Sequence, residues 1–573
     1  MFDILIVVLY GHIKMSSLPG RKLRRFEVGG LPLIEQIIRR IRLREIIAEH
    51  LQLSGREAIS TVDVLVLLVL NLAVAKDPLY ELADWVDALD LRPLGFKHRP
   101  TALFSDDRFG RALDKLYESD RASLQTRLVL AAVRAFEVEL NRVHNDSTSI
   151  KACGRIPGRT STGLELRLGH SKDHRPDLKQ LVFTLSLSAD GAVPIHHHVY
   201  PGNRNDETTH IQTWNDLRKL HGCADFLYVA DCKLCTRRQL AHIVDEGGRA
   251  ITIVPQNLKE ARSFIEALRS GSMPKTLIWR RAKPNDESST EYFSLFSGNH
   301  CLEHGGYPVH WFHSSEKRKR DRYSRDQCLH KAEQALATLA PKLNTPRLSK
   351  QPPIRKAIKT ILDKHHVANF IDVKIVTHLQ RTRVRLPGRP SKEKKSRYRI
   401  RQKASYSLQW ERNATALAAE RRIDGVFPLL CTDKTIRPVE VLKAWKYQPR
   451  LEKRFEQLKH VHRAAPLLFK KIERVEANMF IFFLALLVQA LLERQVRQAL
   501  KSQKHKPLKL YPEDRDAPHP TTSQILKTFA GLSTYAIERE GGVAEEYRDE
   551  LSDVQRSVLA LMGMDEVLFW SGK

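Results

Sequence analysis

The chain has 573 residues, several times the length of a typical domain, and its 95 Lys and Arg against 66 Asp and Glu give a net charge of +29. Such a surplus attracts polyanions, with nucleic acid the first candidate and an anionic membrane surface the second. The seven cysteines lack the short, even spacings of a disulfide framework, which excludes a disulfide-stabilised scaffold and fits a reducing cytoplasm.

The beginning of the chain contains an apolar run over residues 4–10, but an acid precedes this run and no basic segment does. This order argues against a signal peptide. Because Met15 offers a more natural start, we expect residues 1–14 to be a spurious extension. Over residues 28–136, apolar positions recur at spacings of three and four, which predicts an all-helical N-terminal domain within residues 15–136.

The pattern then changes to that of a sheet. Residues 181–200 form two β-rich runs joined at Asp190-Gly191, which predicts a hairpin. A helix, the strand "DFLYVA", a second helix and the strand "AITIV" follow. The segment "RVHNDSTS" before them is the first strand, and three strands, helix, strand, helix, strand is the order of a ribonuclease H-like mixed sheet flanked by helices. The predicted fold class is therefore α/β, with residues 137–255 as the first part of a core.

Residues 256–422 do not continue this alternation. They mix strands with helices and end in a strongly basic stretch, which predicts an α+β insertion domain. The core pattern resumes over residues 423–500, which include the apolar stretch 479–492. That stretch is shorter than the ~20 residues of a membrane helix, so we expect a buried core helix and no membrane partner. Residues 501–573 form a polar C-terminal region.

Acidic residues lie where a ribonuclease H-like sheet would bring them together. Phosphoryl transfer on DNA uses two divalent ions roughly 3.5–4 Å apart, and Mg²⁺ prefers carboxylate oxygens held on rigid elements. In such a sheet these acids belong to the first strand, the end of the fourth strand and a neighbouring helix. Asp146 lies on the predicted first strand, Asp231 ends the fourth, and Glu452 and Glu456 lie on a helix beyond the insertion.

With these acids in place, the sequence resembles the bacterial insertion-sequence DDE transposases that carry an insertion domain inside a ribonuclease H-like fold. The resemblance covers most of the chain. It includes the helical N-terminal module, the stretch that follows Asp146, the strand "DGVFPLLCTD" and the helices that begin at "LEKRFEQLKH".

The position of the third acid follows from this resemblance. In the family, the catalytic Glu precedes a Phe by three positions and a Lys by seven, and Glu452 precedes Phe455 and Lys459 at these spacings. The resemblance therefore implies Asp146, Asp231 and Glu452 as the catalytic and metal-binding residues. The acid one helical turn further along is the alternative.

The resemblance also suggests residues that contact DNA near this third acid. Tyr447, Arg450 and Lys459 are candidates, although the first two lie closer to Glu452 than in many relatives. Pro449 either kinks the expected helix or marks the first turn of a new one.

Other candidate DNA contacts lie elsewhere in the chain. Lys172 and Arg175 either position phosphates or pair with the neighbouring acids Asp173 and Asp177. Arg389, in a Gly-Arg-Pro core, belongs either to a minor-groove hook or to a solvated basic loop.

Two further patterns are typical of metal ligands but are weaker. Cys232 and Cys235 form a Cys-x-x-Cys pair, for which zinc would need two more ligands, and no second such pair accompanies them. We expect small thiols at a strand-to-helix turn instead. The run His196–His198 lies on a predicted strand, where successive side chains alternate between faces and cannot all converge on one ion.

The function implied by the resemblance is that of a DDE transposase. It would cut double-stranded DNA at the terminal inverted repeats of its element and join those ends to target DNA, with Mg²⁺ or, in its place, Mn²⁺. A homodimer on DNA in a bacterial cytoplasm, associated with the nucleoid, is expected. Two alternatives stay open: a decayed or domesticated DNA-binding protein, and a ribonuclease H-like nuclease without strand transfer.

Overall fold

The residues described by the computed structural model are 21–53, 55, 57, 59–96, 104–153, 156–170, 172, 175–204, 208–283, 286–297, 303–385, 387, 398–464, 469–502, 508–511, 513, 515–539 and 542–572. The predicted spurious extension, residues 1–14, lies outside them. The chain divides into two compact units, one of Met1–Ala250 with Lys446–Lys573 and one of Ile251–Trp445. Its fold is mixed α/β with a large mixed sheet flanked by helices, which confirms the predicted class at this level.

The N-terminal part of the first unit is mostly helical. Its elements are β1 (Arg21–Glu27), α1 (Leu31–Arg40), α2 (Leu43–His50), α3 (Thr61–Ala73), α4 (Leu82–Ala88), α5 (Asp106–Glu118) and α6 (Arg121–Phe136). The side chains of Ser60, Ser105 and Asp120 accept backbone N–H groups in the first turns of α3, α5 and α6. These N-caps satisfy donors that the helix itself leaves unpaired.

Strand β1 corrects the expectation that the N-terminal domain is all-helical. It pairs antiparallel with a strand at Ser533–Arg539. The Arg25 side chain bonds to Ser533, 508 positions further along the chain. A strand needs a partner for its backbone N–H and C=O groups, and here that partner comes from the C-terminal region. No pattern within the N-terminal segment itself signals such a distant pairing.

The sheet of the first unit begins beyond these helices. Its elements are β2 (Arg142–Lys151), β3 (Gln180–Ser188), β4 (Pro194–Pro201), α7 (His210–His221), β5 (Leu227–Ala230) and α8 (Arg237–Asp245). The strand order is β4-β3-β2-β5, in which only β2 and β5 are parallel. The predicted hairpin is confirmed, and Gly191 in its turn has a φ of +81°, which glycine adopts without strain.

The second unit carries most of the predicted insertion. After β6 (Arg249–Ile253), the elements are α9 (Lys259–Ser270), β7 (Lys275–Lys283), β8 (Asp286–Phe296), β9 (Glu303–His304), β10 (Tyr307–Ser314), α10 (Ser315–Leu339), α11 (Gln351–Lys364), β11 (Ile371–Arg385), β12 (Tyr398–Arg412), α12 (Ala414–Ile423), β13 (Val426–Cys431) and α13 (Pro438–Trp445). Strands β6-β13-β10-β8-β7 are neighbours in that order. A separate core forms where α10 and α11 pack on the base of the β11–β12 ribbon, around Leu329, Leu336, Ile354 and Ile371.

The C-terminal elements complete the first unit. They are α14 (Pro449–Glu456), α15 (Ile472–Ser502), β14 (Leu508–Lys509), β15 (Asp516–Ala517), α16 (Thr522–Thr528), β16 (Ser533–Arg539), β17 (Gly542–Arg548), α17 (Asp553–Met562) and α18 (Glu566–Ser571). Helix α15 packs against α1, α3, α5, α17 and β4. Among the described helices it alone is long and apolar enough to cross a membrane, and its most apolar part is 94% buried. It is thus a core helix, as predicted.

Candidate active site

Two of the predicted acids lie at neighbouring positions of parallel strands. In the register of β2 and β5, Asn145 is the partner of Ala230. Asp146 and Asp231 each occupy the next position along the chain. The sheet therefore brings together two carboxylates that are 231 − 146 = 85 positions apart in the sequence.

The Asp146 carboxylate has an electrostatic environment that is short of positive charge. Burial raises its pKa above the usual 3.8, and the charge of Asp231 raises it further. Lys172 opposes this shift, with Nζ 3.4 Å from Oδ1 of Asp146 and 2.9 Å from Oγ of Ser147. The Ser147 backbone N–H also donates to Oδ1, at 2.7 Å. Lys172, whose charge also acts on Asp231, offsets the effect of burial on Asp146 only in part.

Asp231 is held in its ionised form by a different set of neighbours. Burial raises its pKa, but the His210 imidazole, the backbone N–H of Lys233 and the charge of Lys172 together lower it below 3.8. The Lys233 N–H donates to Oδ1 at 3.1 Å, and Nε2 of His210 lies 3.6 Å from the same oxygen. On its other side, Nδ1 of His210 is 3.1 Å from the hydroxyl of Tyr228.

The contact between His210 and Tyr228 fixes the orientation of the imidazole. Both side chains are buried. Burial, followed by the charge of Asp231, raises the pKa of Tyr228 well above 10, so its hydroxyl stays protonated. The geometry fits a Tyr228 hydroxyl that donates to Nδ1 and a His210 that turns Nε2–H toward Asp231.

The start of α14 is tied to the backbone beside Asp146. The Gln448 amide nitrogen donates to the carbonyl of Asn145 at 3.2 Å, and its carbonyl oxygen lies 3.0 Å from Nδ1 of His144. Burial lowers the pKa of His144 to about 4, so this ring is neutral and its Nδ1–H donates. Pro449 is the first residue of α14 and begins a new helix, one of the two alternatives left open by the sequence.

A buried ion pair fastens the same helix to the core helix α15. The Arg454 guanidinium donates to Oε2 of Glu493 at 2.9 Å, to Oε1 of Gln457 at 2.7 Å and to the carbonyl of Ala192 at 3.2 Å. The side chains of Arg454 and Glu493 are only 6% and 7% exposed. The other carboxylate oxygen of Glu493 accepts the backbone N–H of Thr522 at 3.0 Å. Helix α14 is therefore fixed at both of its ends.

The third predicted acid is placed near the pair without joining it. Glu452 and Glu456 are both exposed on α14, which packs against β2. No group of three or more His, Cys, Asp or Glu side chains close enough to hold a metal ion occurs in the described part of the chain. The structure thus brings together Asp146 and Asp231, and leaves Glu452 on the adjacent helix outside their cluster.

The predicted DNA contacts near α14 occupy different environments. The Tyr447 ring is half-buried, 5.0 Å from the ring of His144 and 6.0 Å from the guanidinium of Arg142. Arg450 is exposed in the first turn of α14. Lys459 is half-buried in a π-helical turn, Gln457–Val461, that continues this helix. Arg450 thus faces solvent most fully.

The remaining predicted DNA contacts also lie in different environments. Arg175 donates through Nε and Nη2 to Asp177, at 2.9 and 2.8 Å, on the surface. Lys172 instead lies against Asp146. Arg175 therefore pairs with one of the two predicted neighbouring acids, whereas the acid beside Lys172 is Asp146, which neither alternative named. Arg389 and the centre of the predicted hook lie outside the described residues.

The Cys-x-x-Cys pair lies beside the site without forming one of its own. Cys232 is half-buried and Cys235 is buried, and neither forms a disulfide. Burial and the neighbouring Asp231 raise the pKa of Cys232, which disfavours the thiolate that a metal requires. These thiols lie at the turn between β5 and α8, as expected.

The histidine run on β4 also fails to converge on one point. Nε2 of His196 is 3.7 Å from Asp216, whereas His197 stacks on Phe483 at a ring distance of 4.6 Å. Burial lowers the pKa of His196 to about 3. These rings pack as neutral groups on opposite faces of the strand.

Sequence reasoning missed the residues that support the acids. His210, Gln448 and Arg454 each act through a partner that is distant in the sequence. His210 lies on a helix that the sequence did predict, but nothing in the local pattern distinguished it from other polar helix residues. Only the contact of α7 with β5, through His210 and Tyr228, brings this imidazole to Asp231.

The donor set at Asp146 and Asp231 suits a hard divalent cation. It consists of carboxylate oxygens, the ligand type that Mg²⁺ prefers, and Mg²⁺ usually takes only one or two carboxylates from the protein and keeps several waters. The raised pKa of Asp146 marks a carboxylate whose negative charge the protein compensates only in part. The two residues therefore fit this ion.

Comparisons with known proteins give limited information. Residues 24–130 match the family model described as "Domain of unknown function (DUF4277)". No curated protein matches the chain. A solved structure of piggyBac transposase, in a synaptic complex with hairpin DNA, is similar with a TM-score of 0.34 and 9% identity, over 87% of this chain and 78% of that one. A similarity this remote carries no argument about the function of the chain.

Proposed function

We propose that this protein is a DDE transposase that cuts DNA at the ends of a mobile element and transfers those ends to target DNA. The observation that carries the proposal is the parallel register of β2 and β5, which sets Asp146 beside Asp231. The resemblance of the sequence around Glu452 to insertion-sequence transposases supports the same assignment. Two carboxylates held side by side, one on a strand and one directly after a strand, suit metal-dependent phosphoryl transfer.

Asp146 and Asp231 would hold Mg²⁺, or Mn²⁺ in its place, and Glu452 would complete the set from α14. The bound ions would supply a nucleophile at neutral pH and stabilise the leaving oxygen of the phosphodiester. His210 is a positioning residue in this scheme, because it holds the Asp231 carboxylate ionised and in place. Gln448 positions α14, and with it Glu452, against the strand that bears Asp146.

The domain roles follow from the same proposal. A ribonuclease H-like core would consist of residues 137–255 and 423–500, and the strand order β4-β3-β2-β5 supports it. Residues 15–136 would bind the terminal inverted repeats, and residues 256–422 would be the insertion. Two copies would assemble as a homodimer on double-stranded DNA, in a bacterial cytoplasm and in association with the nucleoid.

Cleavage of a duplex that carries the ends of the element tests the proposal. The purified protein is compared with Asp231→Asn and with the control Asp225→Asn, which removes an exposed acid just before β5. We expect nicking that needs Mg²⁺ or Mn²⁺, is abolished in Asp231→Asn and is retained in Asp225→Asn. Binding to the ends should be the same in all three proteins.

A supercoiled target plasmid in the same reaction separates the alternatives. Joined products support a transposase, whereas cleavage without joining indicates a nuclease. Binding without metal-dependent cleavage indicates a decayed or domesticated copy. Equal cleavage by the wild type and Asp231→Asn would remove Asp231 from the site.

A further inference from the structure

The ribbon formed by β11 and β12 extends beyond the core that anchors it. The strands pair residue by residue from Ile371 with Arg412 to Arg385 with Tyr398. At the base, apolar side chains pack on α10 and α11. Residues 379–385 and 398–404, which we call the distal ribbon, are exposed at every position. The six steps from the first to the last residue of this part of β11 span roughly 20 Å.

Positive charge covers both faces of the distal ribbon. Directly opposed residues of antiparallel strands point to the same face, so the register assigns each side chain to one of two faces. The first face carries Arg381, Arg383 and Arg385, and the second carries Arg399, Arg401 and Lys403. The distal ribbon contains no Asp or Glu. Within the described chain, none of the six cations forms an ion pair, so they are available to a polyanion.

We propose that the distal ribbon inserts into the major groove of duplex DNA, with one face toward each sugar-phosphate backbone. Charge on both faces fits a ligand with two anionic walls, whereas a flat anionic surface such as a membrane would meet only one face. A groove ~12 Å wide admits a two-stranded ribbon, and the minor groove, at ~6 Å, is too narrow. The inference rests on the proposed function only in that its ligand is DNA.

Exposed apolar side chains within the distal ribbon support the same partner. Leu379, Tyr398 and Ile400 are 62%, 53% and 60% exposed, and they share the first face with its three arginines. The Arg383 guanidinium lies 5.8 Å from the ring of Tyr398. Such groups can contact thymine methyls and deoxyribose where a ribbon enters the groove.

Three charge variants of the full-length protein test the proposal. One replaces the three first-face arginines with Gln, and a second replaces the three second-face cations with Gln. The matched control replaces Lys356, Lys359 and Lys364, which are exposed on α11, with Gln. It removes the same amount of positive charge from the same unit. Binding of a labelled duplex of random sequence is measured by fluorescence anisotropy over a range of salt concentrations.

Each ribbon variant should lose about as many phosphate contacts as it loses cations. The plot of log K against log salt should become shallower, with its slope reduced in magnitude by roughly 2–3, and the affinity near 0.1 M salt should weaken by on the order of 100-fold. The α11 variant should change the slope by less than ~1. Circular dichroism should be the same for all variants, because the replaced side chains are exposed.

Competition assays identify the groove. Methyl green, which occupies the major groove, should displace the part of binding that depends on the ribbon, and netropsin, a minor-groove ligand, should not. The proposal would be overturned if the ribbon and α11 variants lost DNA affinity equally, or if only one of the two ribbon variants lost affinity. Competition by netropsin alone would also overturn it. So would ribbon-dependent binding to phosphatidylserine vesicles together with unchanged DNA binding.

These outcomes are independent of whether the protein cuts DNA. Ribbon-dependent binding without metal-dependent cleavage would leave the ribbon assignment intact and remove the transposase. Cleavage and strand transfer by the wild type, together with ribbon variants that bind DNA as tightly as the α11 control, would do the reverse.

Discussion

Loss of the Arg454 side chain should free α14 from the core. The change Arg454→Met removes three hydrogen bonds, at 2.7, 2.9 and 3.2 Å, and leaves Glu493 buried. Breaking a buried pair from one side costs about 3–5 kcal/mol. Glu493 would still accept the Thr522 N–H and would still lie 3.4 Å from Arg497, so we expect a cost at the lower end of this range, about 3 kcal/mol.

Hydrogen exchange of peptides that cover α14 measures this loss directly. At 1.4 kcal/mol for each factor of ten, a loss of about 3 kcal/mol accelerates exchange by on the order of 100-fold. The control Lys453→Met changes the preceding residue of the same helix, which is exposed, and should leave exchange within about twofold of the wild type. The double variant Arg454→Met/Glu493→Gln should recover part of the protection, since no buried carboxylate is then left without Arg454, while the Gln carbonyl can still accept from the Thr522 N–H and from Arg497.

The effect of Arg454 should also depend on pH. Burial raises the pKa of Glu493, but Arg454, Arg497 and the Thr522 N–H lower it below the usual 4.5. A carboxylate whose pKa is lower in the folded than in the unfolded state stabilises the fold at pH values above its unfolded pKa. This stabilisation is lost as the pH falls through its folded pKa. The difference between wild type and Arg454→Met should therefore be full at neutral pH and shrink below about pH 4.5. Identical exchange for Arg454→Met and Lys453→Met at neutral pH would refute the reasoning.

Three further changes test the site and the sheet. Because the pKa of Asp146 is raised, its ionisation opposes folding at neutral pH, so Asp146→Asn should unfold at a higher temperature than the wild type when no metal is present. The same variant should lose the roughly 2.7 kcal/mol of stability that Mg²⁺, at about 100 times its Kd, gives the wild type. An equal response of both proteins to Mg²⁺ in a thermal-shift assay would contradict this. Gln448→Leu leaves the buried His144 without its partner and should cost about 1–3 kcal/mol by urea unfolding, with DNA cleavage reduced more than DNA binding. Gly202→Ala places a Cβ 2.1 Å from a backbone carbonyl and should lower the soluble yield and the melting temperature, whereas Gly271→Ala, with no atom within 4 Å, should do neither.

The parts of the fold that follow from short-range chemistry were predictable from the sequence. Asp190-Gly191 between two β-rich runs specifies a tight hairpin, and the structure contains it. The strand before Asp231 and the buried helix α15 follow from periodicity and length. Each of these signals lies within about twenty residues of sequence.

The supports of the site are encoded over much longer distances. The bond from Gln448 to His144 spans 304 positions, and the one from Arg454 to Glu493 spans 39. The local sequence around a Gln before a Pro is the same whether the Gln bonds to water or to a buried histidine. The local sequence around an Arg on an amphipathic helix likewise does not show whether the Arg bonds to water or to a buried glutamate. Such pairs are specified by the register of the whole sheet and by the packing of α15, which no local window contains.

The two carboxylates of the site differ in what each still lacks. The imidazole and the Lys233 N–H satisfy Asp231 in its ionised form, whereas burial leaves Asp146 with a charge that the protein compensates only partly. A divalent cation would gain most from Asp146 and would find Asp231 already oriented. Because Gln448 bonds to the carbonyl of Asn145, displacement of α14 would act on the backbone one residue from Asp146. Metal affinity and the position of Glu452 should therefore change together when this bond is removed.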